Sequence, residues 1–152
     1  MSENRRSPAP ESRPGAGVPQ DAGGRVSDET YDAGMRVRRE VLGDAHVDRA
    51  MAGTTEFTGP FQDYITRTAW GSVWTREGLD RKTRSCITLA VLTALGRENE
   101  IAMHVRGAIR NGVTPDEIGE ALLHTSVYAG VPAANAAFAI AQKVLSEMGE
   151  VS

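Results

Sequence analysis

Residues 98–130 read ENEIAMHVRGAIRNGVTPDEIGEALLHTSVYAG, and this stretch decides the fold. It holds two punctuated helices in succession. The first runs over about residues 98–111 and ends at Gly112, a glycine in the position that closes helices in a left-handed turn. The second opens on Thr114 and Glu117, a reciprocal capping pair, with Pro115 at the first helical position. Gly130 closes it.

The same grammar continues on both sides. Upstream, Asp80 is a good N-cap for a helix over about 81–95. That helix carries CITLAVLTALG and is apolar nearly all round, which predicts a place at the centre of a bundle. Gly96 ends it. Downstream, Pro132 opens a last helix in which Ala134, Ala137, Phe138, Ala141, Val144, Leu145 and Met148 recur at helical spacing. Further upstream, GPFQDYITRTAWGSVW sets Pro60 at a first helical position and Phe61, Ile65 and Ala69 at helical spacing. DAHVDRAMAG predicts a short helix or turn with His46 near its start. SDETYDAGMRVRREVLG predicts a helix capped at Ser27 or Asp28 and stopped at Gly43, with Tyr31, Met35 and Leu42 near one face. No segment has the alternation of a strand. The expected class is all-α, with one helical domain over residues 29–152.

Residues 1–28 differ in kind. They hold four of the seven prolines, four glycines, and no Leu, Ile or aromatic residue. Such a segment buries too little apolar surface to offset the entropy of ordering, so a disordered tail is expected.

Composition narrows the function. The 152 residues are 40% hydrophobic, enough for one domain with a core. A net charge of −3 gives no footprint for nucleic acid, yet a few local arginines can still hold a small anion. The single cysteine, Cys86, excludes an internal disulfide and a paired-cysteine zinc or redox motif. Its neighbours SCITLAVL make it a small core hydrophobe. No apolar run is long enough to span a bilayer and no signal-peptide core is present, so a cytoplasmic protein without membrane contact is expected.

Three groups of residues carry possible chemistry. Glu100 and His104 are four apart, about 40° round a helix. The pair is either a surface ion pair or an acid–base group whose glutamate orients the ring and raises its basicity. Gly107 and Ala108 occupy the next turn, which leaves room beside the imidazole for a pocket. The spacing is not HExxH and no third ligand cluster is evident, so no metal is expected. His124 lies one turn before Tyr128, and is either a helix-edge histidine or a site residue. His46 reads as a local cap or packing residue. In AWGSVWTREGLDRKTRS, Trp70 and Trp74 stand near Arg76, Arg81, Lys82 and Arg84. That is either a core pair beside a solvated charge run, or an apolar wall beside guanidinium groups suited to an unsaturated carboxylate.

Four blocks in order, YDAGMRVRREVLGDAHVDRA, AWGSVWTREGLDRKTRS, EIAMHVRGAIRNGVTPDEIGEALLH and VYAGVPAANAAF, resemble the carboxymuconolactone decarboxylase family over about residues 30–149. The resemblance implies an alkylhydroperoxidase D-like helical fold assembled as a trimer or hexamer. It implies cofactor-free conversion of 4-carboxymuconolactone to 3-oxoadipate enol-lactone and CO2, in the protocatechuate branch of the β-ketoadipate pathway. The redox branch of that fold has a CxxC before a histidine matching His104. Arg97 and Glu100 stand where those cysteines would be, so a thiol peroxidase role for Cys86 is not expected. On this resemblance His104 is the expected proton donor and Glu100 its orienter. His124 or Tyr128 would serve the oxyanion, Arg81 and Arg84 the carboxylates, and Trp70 and Trp74 the apolar walls. The competing readings are a relative recruited to decarboxylate or isomerise another small carboxylated lactone, and a non-catalytic helical oligomer.

Overall fold

The computed structural model describes residues 22–152, with side chains from Asp28 onward. The tail expected over residues 1–28 lies outside the described residues as far as residue 21. Seven α-helices follow: α1 Ala22–Leu42, α2 Asp44–Ala52, α3 Gly59–Ile65, α4 Arg81–Ala94, α5 Glu98–Arg110, α6 Pro115–Ala129 and α7 Val131–Met148. No strand occurs among the described residues. The first helix begins at Ala22, ahead of the expected start at Ser27 or Asp28. Helix starts without a strong cap are set by a gradual loss of hydrogen bonding rather than by one residue.

The caps that the sequence signals are in place. The Asp80 carboxylate accepts from the Thr83 backbone N–H at 2.7 Å. Thr114 Oγ1 accepts from Glu117 N–H, while Glu117 Oε2 accepts from Thr114 N–H. Gly43, Gly112 and Gly130 all have positive φ at the junctions where one helix must turn into the next.

One element was not expected. The helix starting at Gly59 does not continue as α beyond Ile65, and Thr66–Val73 is a π-helix. Its wider turns show in the bond from Trp74 N–H back to the Ala69 carbonyl at 2.9 Å. This segment crosses α1 backbone to backbone. A Cβ added at Gly34 would lie 2.2 Å from the Thr66 carbonyl oxygen, and one at Gly71 would lie 2.4 Å from that of Thr30. Only glycine at both positions lets the two helices touch in this way.

The apolar side chains divide into two cores. Helices α4–α7 bury Leu89, Ile101, Val105, Ile118, Leu122, Ala137, Ala141 and Val144. Helices α1 and α2 and the π-helix bury Val37, Val41, Leu42, Val47 and Trp70, with Met103 packed against them. Helix α5 therefore belongs to both: Ile101 and Val105 point into the bundle, Met103 into the smaller core. His104 stands on this seam.

Helix α4 departs from its expected central position. Ser85, Leu89 and Thr93 are buried, but Ile87, Val91 and Leu95 are 48%, 49% and 63% exposed. An apolar circumference says only that partners are wanted; in the single chain α5, α6 and α7 cover one side. Among the described residues no helix is long and apolar enough to cross a membrane.

Candidate active site

The π-helix and α5 bring three rings together. Trp70 and Trp74 stack with centroids 5.2 Å apart and planes 30° from parallel. The His104 imidazole lies 6.5 Å from Trp70 and 6.4 Å from Trp74, inclined 11° and 19° to them. Trp70 is only 6% exposed and Trp74 and His104 are half-buried, so this layer is apolar and shielded from water on the Trp70 side.

Burial sets the protonation of His104. Desolvation is the main cause, the charge of His46 adds to it, and Glu100 opposes both; the result is a pKa lowered to about 4. Glu100 raises the basicity of the ring, as expected, but burial outweighs it and the net shift is downward. Glu100 is exposed and makes no hydrogen bond to the imidazole, so its carboxylate acts through water-screened distance while the indoles act in contact. The space beside His104 also differs from expectation. Gly107 is buried against α1, where an added Cβ would lie 3.1 Å from the Val41 carbonyl oxygen. The small residues admit a helix there, not a ligand.

This desolvation has a consequence for folding. Unfolded, His104 takes up a proton near its ordinary 6.5; folded, it does so only near about 4. Between those values the unfolded chain binds the extra proton, so acid favours unfolding. The contribution is complete above the unfolded pKa and is lost as pH falls toward the folded one, by up to about 3 kcal/mol. Urea midpoints at neutral pH and near the folded pKa measure it. An equal acid loss in His104→Gln would assign the effect to other groups.

Two further basic residues bear on this region: Arg38, which had no assigned role, and His46, expected as a local cap or packing residue. Arg38 is 4% exposed. It donates from Nη1 to Thr66 Oγ1 at 3.2 Å and from Nη2 to Gln62 Oε1 at 3.0 Å. Among the described residues no carboxylate pairs with it, and burial lowers its pKa. A buried cation held only by neutral oxygens is expensive and usually has a use. Arg38 comes three residues after Met35, near the face that carries Tyr31, Met35 and Leu42. His46 is the second. Burial lowers its pKa, helped by the charges of Arg49, Arg38 and Arg110.

Of the remaining candidates, Arg81 reaches the Trp74 side of this layer. Arg81 is ion-paired with Glu40 at 2.6 Å. Arg84 donates to the Arg76 carbonyl at 3.1 Å. Arg81 and Trp74 share a cavity wall with Arg36, Glu40 and Arg76. His124 and Tyr128 pack on one another, centroids 5.1 Å apart, and both are exposed. They line grooves walled by α4 and α6, to which α5 contributes nothing. Within one chain the structure thus unites Trp70, Trp74 and His104, with His46 close enough for its charge to reach His104 and Arg81 beside Trp74, and leaves His124 and Tyr128 apart. Cys86 is half-buried against the bundle core, and burial pushes its thiol pKa up, which disfavours the reactive thiolate. Among the described residues no group of three His, Cys, Asp or Glu side chains is placed to hold a metal ion.

Known proteins resemble this chain closely. A model described as the carboxymuconolactone decarboxylase family matches residues 59–143. The chain is 51% identical over 122 residues to a 4-carboxymuconolactone decarboxylase of Acinetobacter baylyi, covering 80% of this chain and 91% of that protein. It is 47% identical over 118 residues to a nitrosuccinic acid decarboxylase of Metarhizium robertsii, covering 78% of this chain and 82% of that one. A 4-carboxymuconolactone decarboxylase of Pseudomonas putida is 60% identical over 43 residues, 28% of this chain and 90% of that protein.

Proposed function

The chain belongs to the carboxymuconolactone decarboxylase family, and from that premise we propose that it decarboxylates 4-carboxymuconolactone to 3-oxoadipate enol-lactone and CO2. The observation that carries this reading is the 51% identity to a protein of that name over most of both chains. The substrate is a small anionic lactone. The reaction belongs to protocatechuate breakdown by the β-ketoadipate route, and a cytoplasmic location fits such metabolism.

The residues fit the steps. The bond from the ring carbon to its carboxylate breaks, and the electron pair passes through the conjugated double bond to the lactone carbonyl. CO2 leaves, and a furanolate-like anion remains. A proton then adds to carbon and restores the carbonyl. Trp70 and Trp74 provide apolar walls, against which a carboxylate is less stable than neutral CO2. We assign His104 as the proton donor. It is neutral in the free protein, and an anionic ligand set against a buried imidazole favours the charged form that carries the proton. Glu100 contributes a minor field from the surface.

A homo-oligomer, trimer or hexamer, is part of this reading. Val127, Tyr128 and Val131 are 75%, 79% and 72% exposed, beside the uncovered Ile87, Val91 and Leu95 of α4. An apolar face of that kind is usually covered. Assembly through it would place His124 and Tyr128 at a subunit boundary.

The similarity to a nitrosuccinic acid decarboxylase favours one second reading, decarboxylation of a different small dicarboxylic acid. Purified protein offered 4-carboxymuconolactone, made in situ from protocatechuate by the preceding enzymes, and nitrosuccinic acid separately decides between them. Enol-lactone and CO2 from the first at the higher kcat/KM is the expected result. Turnover of the second alone would replace the substrate, and sedimentation of the same sample as a monomer would remove the oligomer.

A further inference from the structure

Between the first turn of α2 and the outer side of α5 runs a cleft of about 450 Å³. Its lining is one-sided in charge: Arg49, Arg106 and Arg110 against Asp44. Asp44 is taken up by Arg39, and Arg106 by Glu147. Arg49 and Arg110 have no carboxylate within ion-pair distance among the described residues. In a chain of net charge −3, two uncompensated guanidiniums facing one cleft are a local concentration of positive charge.

The cleft is also built to hold one of them in place. A Cβ at Gly43 would lie 3.0 Å from Arg110 Nη2, and Gly43 has φ +86°, so glycine leaves the guanidinium its seat over the turn. His46 stands in the same wall, and its charge reaches His104. Met103 lines the cleft and packs into the core that holds Trp70, one residue before His104. The polar cleft and the apolar ring layer therefore meet on α5.

We propose that this cleft is the subsite for the carboxylate that the substrate keeps, with Arg49 and Arg110 as its anchors. The assignment rests on the decarboxylase reading. The two candidate substrates share the relevant chemistry: 4-carboxymuconolactone and nitrosuccinic acid each lose one carboxylate and retain another. A decarboxylase for such a compound must treat the two groups oppositely. The retained one needs fixed cations, the departing one apolar surroundings. Arg49 and Arg110 supply the first, and Trp70 with Trp74 the second. Arg81 and Arg84, engaged by Glu40 and by the Arg76 carbonyl, are less free to do so.

The test uses Arg49→Gln and Arg110→Gln, with Lys143→Gln on the exposed side of α7 as a control for general charge. Each cleft variant is expected to raise KM by about 10-fold or more with kcat nearly unchanged, because the anchor binds ground state and transition state alike. Succinate, a dicarboxylate that is not turned over, is titrated by calorimetry in parallel, and its binding is expected to weaken similarly. KM and succinate affinity equal to wild type in both variants would overturn the subsite, and so would an equal effect in Lys143→Gln. A wild-type protein that turns over neither acid, yet binds succinate through Arg49 and Arg110, would overturn the decarboxylase reading and leave the subsite standing.

Discussion

His104→Gln lowers kcat for CO2 release by about 10²- to 10⁴-fold, the usual range for a lost acid–base group. Glutamine suits the position because it is close in size, can donate and accept hydrogen bonds, and is neutral, as the imidazole is in the free protein. The ring layer and the α1–α5 contact should therefore persist, and KM should change little. The variant should also lose the acid sensitivity that His104 confers, so its urea midpoint falls less between neutral pH and the folded pKa of about 4. Turnover within a few-fold of wild type, in a protein of normal helix content, would remove His104 from the chemistry. The paired readout separates a chemical role from a packing role, because packing damage would lower stability at neutral pH as well.

Gly34→Ala destabilises the protein by about 3 kcal/mol or more, at the upper end of overpacking costs. Glycine to alanine inside a helix ordinarily stabilises, by about 1 kcal/mol. Here the sign reverses, since the new methyl would lie 2.2 Å from the Thr66 carbonyl oxygen and 2.8 Å from the Gly71 nitrogen. Both neighbours are backbone and neither can swing aside, so α1 and the π-helix must separate. The melting temperature is expected to fall by about 10 °C. Trp70 and Trp74 move with the π-helix, so their fluorescence and kcat should change together. A Tm equal to or above wild type would mean that the crossing is looser than described.

The sequence made the helical architecture legible where local chemistry decides it. Asp80, Thr114 with Glu117, and the glycines at 43, 112 and 130 each marked a helix boundary that the structure contains. The π-helix was not legible. TRTAWGSV has ordinary helical character, and the contact that accompanies its wider turns is with α1, more than thirty residues away in sequence, through Gly34 and Gly71. The same limit applies to protonation. Spacing correctly put Glu100 near His104 on one helix, but spacing carries no information on desolvation, and desolvation reversed the direction of the shift. Arg38 left a partial trace, a charge near the face that carries Tyr31, Met35 and Leu42. The arginines of the α2–α5 cleft gave no such signal, because Arg49 and Arg110 look like any solvated helix charge until two helices are set side by side.

The split between two cores has a meaning for how such a chain diversifies. The stretch common to the family, residues 59–143, holds the π-helix and nearly all of the α4–α7 bundle. Helices α1 and α2, which supply Arg38, His46 and Arg49, precede it. The 51% identity over 122 residues is longer than that stretch and everything after it, so it reaches back into α1 and α2 as well, and the small core of those helices takes Trp70 from the π-helix. Substitutions in α1 and α2 therefore act on the packing of Trp70 too, so this core and the ring layer can only change together.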